Sequence, residues 1–265
     1  MVIIRPWFRM MRYLMLIKLK RTRTHDEDRN LAMWLATAAG VLNAIALGAF
    51  GFFPSHMSGN TSQLSSEVSN VNFRDITFLA TILFAFVCGA VTARMVVISG
   101  LANGNRIIFC QILWVEGLAL IALSLFEMFF YSSANNREVI VILGFLMGVH
   151  NSTSTQLSNG RVRSTHITGT LTDAGISLAS VLAALFRRDP SKQLSGQKRQ
   201  LWTHLTTIFS FLIGGIIGLM MFKHLGFKAM AMVGGILLIV ATLAMVRTVV
   251  RVKNNRSLAL KPSGK

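Results

Sequence analysis

Two short stretches of this chain carry side chains suited to holding a small solute. Ser55-His56-Met57-Ser58-Gly59-Asn60 and Thr165-His166-Ile167-Thr168-Gly169-Thr170 lie 110 positions apart and share one pattern: hydroxyl, His, apolar, hydroxyl, Gly. An imidazole changes charge near neutral pH, and a hydroxyl both donates and accepts hydrogen bonds. A Gly lets the backbone turn or approach another backbone closely. The Ser, Thr or Asn that follows can cap a short helix. Such a helix start offers free N–H groups and a partial positive charge to an anionic or carbonyl-bearing solute. His56, Ser58, Gly59, Asn60, His166, Thr168, Gly169 and Thr170 are therefore candidate solute ligands. The competing reading is two tight turns whose His side chains only pack against their neighbours.

Each motif follows an apolar stretch containing Gly-x-x-Asn: Gly40 to Asn43, and Gly148 to Asn151. The step from Asn to His is 13 residues in the first case and 15 in the second, so two features recur in the same order. Asn43 and Asn151 either line a solute path or make interhelical hydrogen bonds worth about 1 kcal/mol. His150, Thr153, Ser154 and Gln156 make the stretch around Asn151 unusually polar, as a cavity wall would be. Glu116 lies well inside another apolar run. An ionisable group there is costly and is by default a functional candidate. It suits a proton-coupling carboxylate or a partner for His56, His150 or His166. Asp173 is a second proton-coupling candidate, although its place one turn beyond the second motif equally suits a helix dipole. Glu127, nearer the end of its run, is expected to snorkel to the interface.

No phosphate loop, dinucleotide fingerprint or nucleophile elbow occurs. The six His are scattered, His204 and His224 among them, and no His-Glu-x-x-His or paired Cys suggests a metal site. Cys88 and Cys110 both sit inside apolar runs and imply no disulfide framework. No cofactor is expected.

The elements that must position these residues are membrane helices. Of the 265 residues 52% are apolar and 14% charged, and the apolar ones come in long runs. That composition belongs to a polytopic membrane protein. Residues 31–53, 76–92, 107–131, 139–156, 201–222 and 229–250 read as six spans, the second extending towards Ser99 if Arg94 snorkels. Pro54 is expected to end the first. Residues 167–186 begin with Thr168, Gly169, Thr170, Thr172 and Asp173, and read as a half-inserted or interfacial helix. Residues 187–200 read as a polar, basic loop. Residues 1–30 form a basic arm without the apolar core of a cleaved signal peptide, and 251–265 a basic, disordered tail.

The net charge of +17 does not imply nucleic acid, because the basic residues lie between and beyond the apolar runs. With both termini inside, 23 of the 27 Lys and Arg fall on the cytoplasmic side. A seventh span at 167–186 would put the basic tail outside. Six spans divide the chain into repeats at 31–131 and 139–250, each with three spans and one motif. An odd number inverts the second repeat relative to the first, so the two motifs enter from opposite faces. The expected fold is an all-α membrane protein of two inverted three-helix repeats, each with a re-entrant or interfacial half-helix after its His-x-[ST]-Gly motif. In such proteins the site lies where the repeats meet.

At these motifs the chain resembles the YoaK-type family of bacterial inner-membrane proteins of unknown function. That family has Gly-x-x-Asp-Ala and Ser-His-Met-Thr-Gly-Asn-Thr early, then Met-Gly-x-Gln-Asn-Ala and Thr-Thr-x-x-Thr-Gly-Thr-x-Thr-Asp. Here they read Gly40–Ala44, Ser55–Thr61, Met147–Ser152 and Ser164–Asp173. Asn43 replaces the usual Asp, His150 the usual Gln and Ser152 the usual Ala. The resemblance implies an inner-membrane location and about six spans, and no substrate. The expected function is a transporter or facilitator of a small polar or anionic solute, in contact with the lipid bilayer and compatible with a homodimer. A non-transporting assembly or regulatory protein, and an intramembrane enzyme pairing a motif His with Glu116, are the alternatives.

Overall fold

A computed structural model of the chain describes residues 25–130, 136–186 and 192–259. These residues form eight helices and no strand: α1 His25–Phe50, α2 Met57–Ser69, α3 Phe73–Ala102, α4 Ile108–Phe130, α5 Asn136–Leu157, α6 Ile167–Phe186, α7 Lys192–Leu225 and α8 Lys228–Ala259. Most of the N-terminal arm lies outside the described residues. The basic region after residue 250 continues α8 as far as Ala259 rather than forming a loose tail, and residues 260–265 lie outside. The expected loop at 187–200 is shorter, because α7 begins at Lys192. Pro54 does not end the first helix. Gly51 does, at φ +67°, with its N–H bonded to the Leu47 carbonyl.

Among the described residues, six helices are long and apolar enough to cross a membrane: α1, α3, α4, α6, α7 and α8. Large apolar side chains such as Phe84, Phe129 and Phe186 face outwards, as a lipid-exposed surface requires. The chain is thus an integral membrane protein with multiple membrane helices. The six differ from the expected set in one exchange: α6 enters it and α5 leaves it. The reason is composition, since the polar residues of its second half lower the hydropathy of α5. Twelve of the 22 residues of α5 are buried by other helices, so its polar residues need not meet lipid.

The helices pair backbone to backbone. A Cβ on Gly40 would overlap the Phe211 carbonyl oxygen, and one on Gly214 the Thr37 carbonyl oxygen. Further along, Gly218 meets Val41, and Gly48 meets Phe222. Rising numbers on both sides mean that α1 and α7 run in the same direction. α3 and α5 do likewise. Gly89 lies against the Phe145 carbonyl and Gly148 against the Phe86 carbonyl. Arg137 bonds Asp75 at one end of this pair, and Arg94 bonds Gln156 at 2.9 Å at the other. Those links are 19 residues apart on each helix, about 28 Å at 1.5 Å per residue. α5 therefore matches α3 over the thickness of a bilayer core. The third pair, α4 and α8, is antiparallel. A Cβ on Gly117 would lie 2.8 Å from the Gly234 carbonyl oxygen, and one on Gly234 would lie 2.6 Å from that of Gly117. The Ser124 hydroxyl donates to the Phe227 carbonyl at 2.7 Å further along.

The short α2 packs on α3, and α6 packs on α7. α6 buries Thr170, Ala174, Ser177 and Val181, a single stripe at helical spacing. Glu127 is not a snorkelling residue. It is 1% exposed, and its Oε2 is buried without a partner.

Within a bilayer, helices associate through close packing rather than through hydrophobic transfer. Gly234 and its neighbour Gly235 should consequently behave in opposite ways. Gly234→Leu forces α4 and α8 apart and is expected to cost about 3 kcal/mol, the upper end for overpacking. A Cβ on Gly235 would meet nothing within 4 Å, so Gly235→Leu should leave stability unchanged. Thermal unfolding of the two purified variants in detergent checks this.

Candidate functional site

α2 and α6 both begin directly after their motif His. His56 stands at the cap position of α2 and makes no side-chain capping bond. Its ring instead folds back over the first turn, where a Cβ on Gly59 would overlap it. The His166 ring lies over Gly169 in the same way. Both glycines are helical, so their role is neither a turn nor a close backbone approach. Each makes room for an imidazole. Nor does a following Ser, Thr or Asn start the helix, since the His already occupies that position in α2.

Each motif is tied to the helix before it by an Asn. The Asn43 amide donates to the Ser55 hydroxyl, and the Ser55 N–H donates to Asn43 Oδ1 at 3.2 Å. The Asn151 amide donates to the Thr165 hydroxyl, and the Ser164 hydroxyl donates to Asn151 Oδ1 at 3.3 Å. These amides therefore satisfy the motif that follows them rather than a distant helix. An Asp could accept both bonds at position 43, which reconciles Asn43 with the Asp usual in the resembling family. From 53–60 and from 163–170, burial runs in the same order residue by residue, with His56, Ser58, His166 and Thr168 exposed.

The exposed faces of both motifs meet at one cavity of about 630 Å³. Asn43, His56, Ser58, Asn151, His166 and Thr168 all line it, from two stretches 110 residues apart. Ser55, Met57, Thr165, Ile167 and Phe53 complete the motif walls. Phe86 of α3 and Phe211 of α7 close the sides. No acidic side chain is among these lining residues.

Other expected site residues lie elsewhere. Gly59 and Gly169 sit beneath the rings. Asn60 and Thr170 are buried in α2 and α6; the Thr170 hydroxyl bonds the His166 carbonyl at 2.9 Å, and Asn60 Nδ2 has no partner. Asp173 is exposed on α6, close enough to act electrostatically on His204 of α7. Glu116 and His150 do not line the cavity. They meet each other, with both side chains at 0% exposure and Nδ1 2.9 Å from Oε1. Of the three histidines open to Glu116 as partners, His150 is the one it meets. The intramembrane acid–base pair expected between Glu116 and a motif His does not form. Among the described residues, no cluster of His, Cys, Asp and Glu is arranged to hold a metal.

Phe86 and Phe211 are site residues that the motifs themselves do not point to. A signal for them exists: Phe86-Val87-Cys88-Gly89 on α3 and Phe211-Leu212-Ile213-Gly214 on α7 repeat Phe-x-x-Gly in the helices that follow α2 and α6.

Residues 31–243 match the profile of a family described as a protein of unknown function, DUF1275, and the chain belongs to that family. No curated protein and no solved structure matches it.

The tethers generate a test. Asn43→Leu leaves the Ser55 N–H and hydroxyl without their partner and should destabilise by about 1–3 kcal/mol. Asn43→Asp should fold as the parent does. Chemical or thermal unfolding midpoints in detergent separate the two outcomes.

Proposed function

We propose that this DUF1275 protein carries or facilitates a small polar or singly charged anionic solute, bound in the cavity between the two motifs. The observation that carries the reading is the convergence of those motifs on one cavity. Duplicated turns with a purely local role have no reason to meet. The chemistry favours an anion over a cation. Two helix starts reach the cavity, each with N–H groups that the helix itself leaves free. Two imidazoles and several hydroxyls add donors, and the lining holds no acid. Phe86 and Phe211 present apolar faces to a solute with a carbon skeleton.

We further read the chain as two inverted repeats, α1–α4 and α5–α8. Equivalent glycines support this. Gly40 on α1 and Gly148 on α5 each meet the carbonyl of a Phe that lines the cavity, and Gly117 and Gly234 meet each other. In this reading α1, α3, α4, α5, α7 and α8 cross the membrane, while α2 and α6 enter from opposite faces and stop at the cavity. The shared direction of α1 and α7 supports it, because with α5 spanning beside α3 a crossing α6 would make them antiparallel. The bias of Lys and Arg supports an orientation with both termini on the cytoplasmic side, in the bacterial inner membrane that the family resemblance implies. Rocking of one repeat against the other would expose the cavity to each side in turn.

Purified protein in liposomes tests the proposal. With radiolabelled small organic and inorganic anions as solutes, His56→Ala and His166→Ala should each reduce uptake at least tenfold while leaving the unfolding temperature intact. Loss of folded protein in both variants would instead assign the motifs to structure. Orientation is read separately. A Cys introduced at Asn70 should react with an impermeant thiol reagent from outside intact cells, and one at Ser195 should not.

A further inference from the structure

The Glu116–His150 couple is buried among apolar residues, away from the cavity lining, and its hydrogen bonds fix how many protons it holds. His150 Nε2 lies 3.2 Å from the Leu35 carbonyl oxygen. A carbonyl only accepts, so Nε2 carries a hydrogen and donates it. Nδ1 faces Glu116 Oε1 at 2.9 Å, which leaves one proton between them. That proton makes either imidazolium with carboxylate or imidazole with carboxylic acid, and both forms have zero net charge. Glu116 Oε2 is buried with no partner at all. It is the open position for one more proton.

The other repeat shows that the fold does not require this couple. The pairing of Gly40 with Gly148 and Asn43 with Asn151 places Leu42 opposite His150 and Leu143 opposite Leu35. The pairing of Gly117 with Gly234 places Val233 opposite Glu116. Leu42, Leu143 and Val233 lie together in one apolar cluster. The equivalent junction of helices is thus built from hydrocarbon alone. A buried ion pair in place of well-packed apolar residues seldom adds stability, so stability does not account for Glu116 and His150.

The couple also sits at a strategic joint. His150 precedes Asn151, the tether of the second motif. Its other bond reaches α1, the helix whose Asn43 tethers the first motif. It thereby links the helices that hold the two halves of the cavity. Other ionisable groups on α1, α4, α5 and the helices packed against them include Arg29, Arg94, Cys110, Glu127, Glu138 and Arg247. Arg94 bonds Gln156, and the polar interactions that act on the His150 ring come from Glu116 and Leu35.

We propose that Glu116 and His150 form a proton-binding site that takes up one proton with each singly charged anion entering the cavity, making the protein a proton–anion symporter. This rests on the anion reading of the cavity. A proton from water on one side binds the Oε2 lone pair of Glu116, giving a carboxylic acid beside imidazolium. The couple then carries one positive charge, offsetting the anion. On the other side the same O–H bond breaks and the proton returns to water. No other bond changes and no electron is transferred. Water must reach Oε2 for either step, so loading is confined to arrangements in which α1, α4 and α5 separate at His150.

Calorimetric titration of the full-length protein with nitrate, benzoate and benzenesulfonate, in buffers of different ionisation enthalpy, counts protons taken up per anion. One is expected for wild type and none for Glu116→Gln. The double variant Glu116→Val with His150→Leu copies the apolar junction of the other repeat. It should fold and bind any anion without a proton, whereas Glu116→Val alone leaves His150 unpaired and should lower the unfolding temperature. Infrared spectra recorded across the pH range in which the protein stays folded read the carboxyl directly. A carboxyl band that titrates in wild type and is missing in Glu116→Gln keeps the proton site even if none of the three anions binds, an outcome that would remove the anion reading alone. Anion binding without proton uptake in wild type overturns the proposal. So does a wild-type carboxyl band that does not change with pH, or a double variant that still takes up one proton per anion.

Discussion

Helix backbones in direct contact are the constraint on which everything else here depends. Along α1–α7 and α3–α5 the carbonyl oxygen of one helix occupies the space that a Cβ would need on its partner. Lipid tails are as apolar as a Leu side chain, so a membrane bundle cannot rely on expelling water to hold helices together. It relies on contact area, and glycine gives the most. The effect on the site is geometric. Phe86 and Phe211 contribute both a carbonyl to these contacts and a side chain to the cavity wall. Closeness of the backbones and position of the aromatic rings are therefore set together.

Within that frame the motifs are held by short tethers rather than by bulk packing. Each Asn satisfies groups of the turn that follows it, and each glycine accommodates its own imidazole. The result is a site whose two halves are alike at the motifs and unlike beneath them. Glu116 and His150 break the likeness where Val233 and Leu42 would preserve it. A solute in the cavity would meet matching donors from both sides, supported by an interior that is polar at one helix junction and apolar at the equivalent one.

Much of this is legible in the sequence because it depends on local pattern. Apolar runs mark the helices, and the recurrence of Gly-x-x-Asn and His-x-[ST]-Gly marks the two motifs and their tethers. What escapes depends on contact across the bundle. α5 is readable as a span only because its length compensates for His150, Asn151 and Gln156; the reason it tolerates them is burial against α3, which no local property records. The partner of Glu116 is one of three histidines until the fold brings α4 against α5. The glycines of the motifs mislead for a similar reason. A local reading of Gly59 and Gly169 points to backbone freedom, whereas the space they leave is filled by a ring from the preceding turn. Glu127 lies near a helix end, which suggests the interface, yet the bundle encloses it.

The pairing of α1 with α7 has a consequence for how the chain is made. Gly40 and Phe211 touch, but 171 residues separate them along the polypeptide. At a synthesis rate of about 5–20 residues per second, the first helix is complete roughly 10–30 s before its partner leaves the ribosome. During that interval its glycine-containing groove, with Thr37 and Val41, faces something other than α7. The first helix must therefore be kept by lipid, by the insertion machinery or by its immediate neighbours until the far end of the protein arrives. Assembly of this bundle is a late event in translation, and truncated nascent chains would carry an open groove.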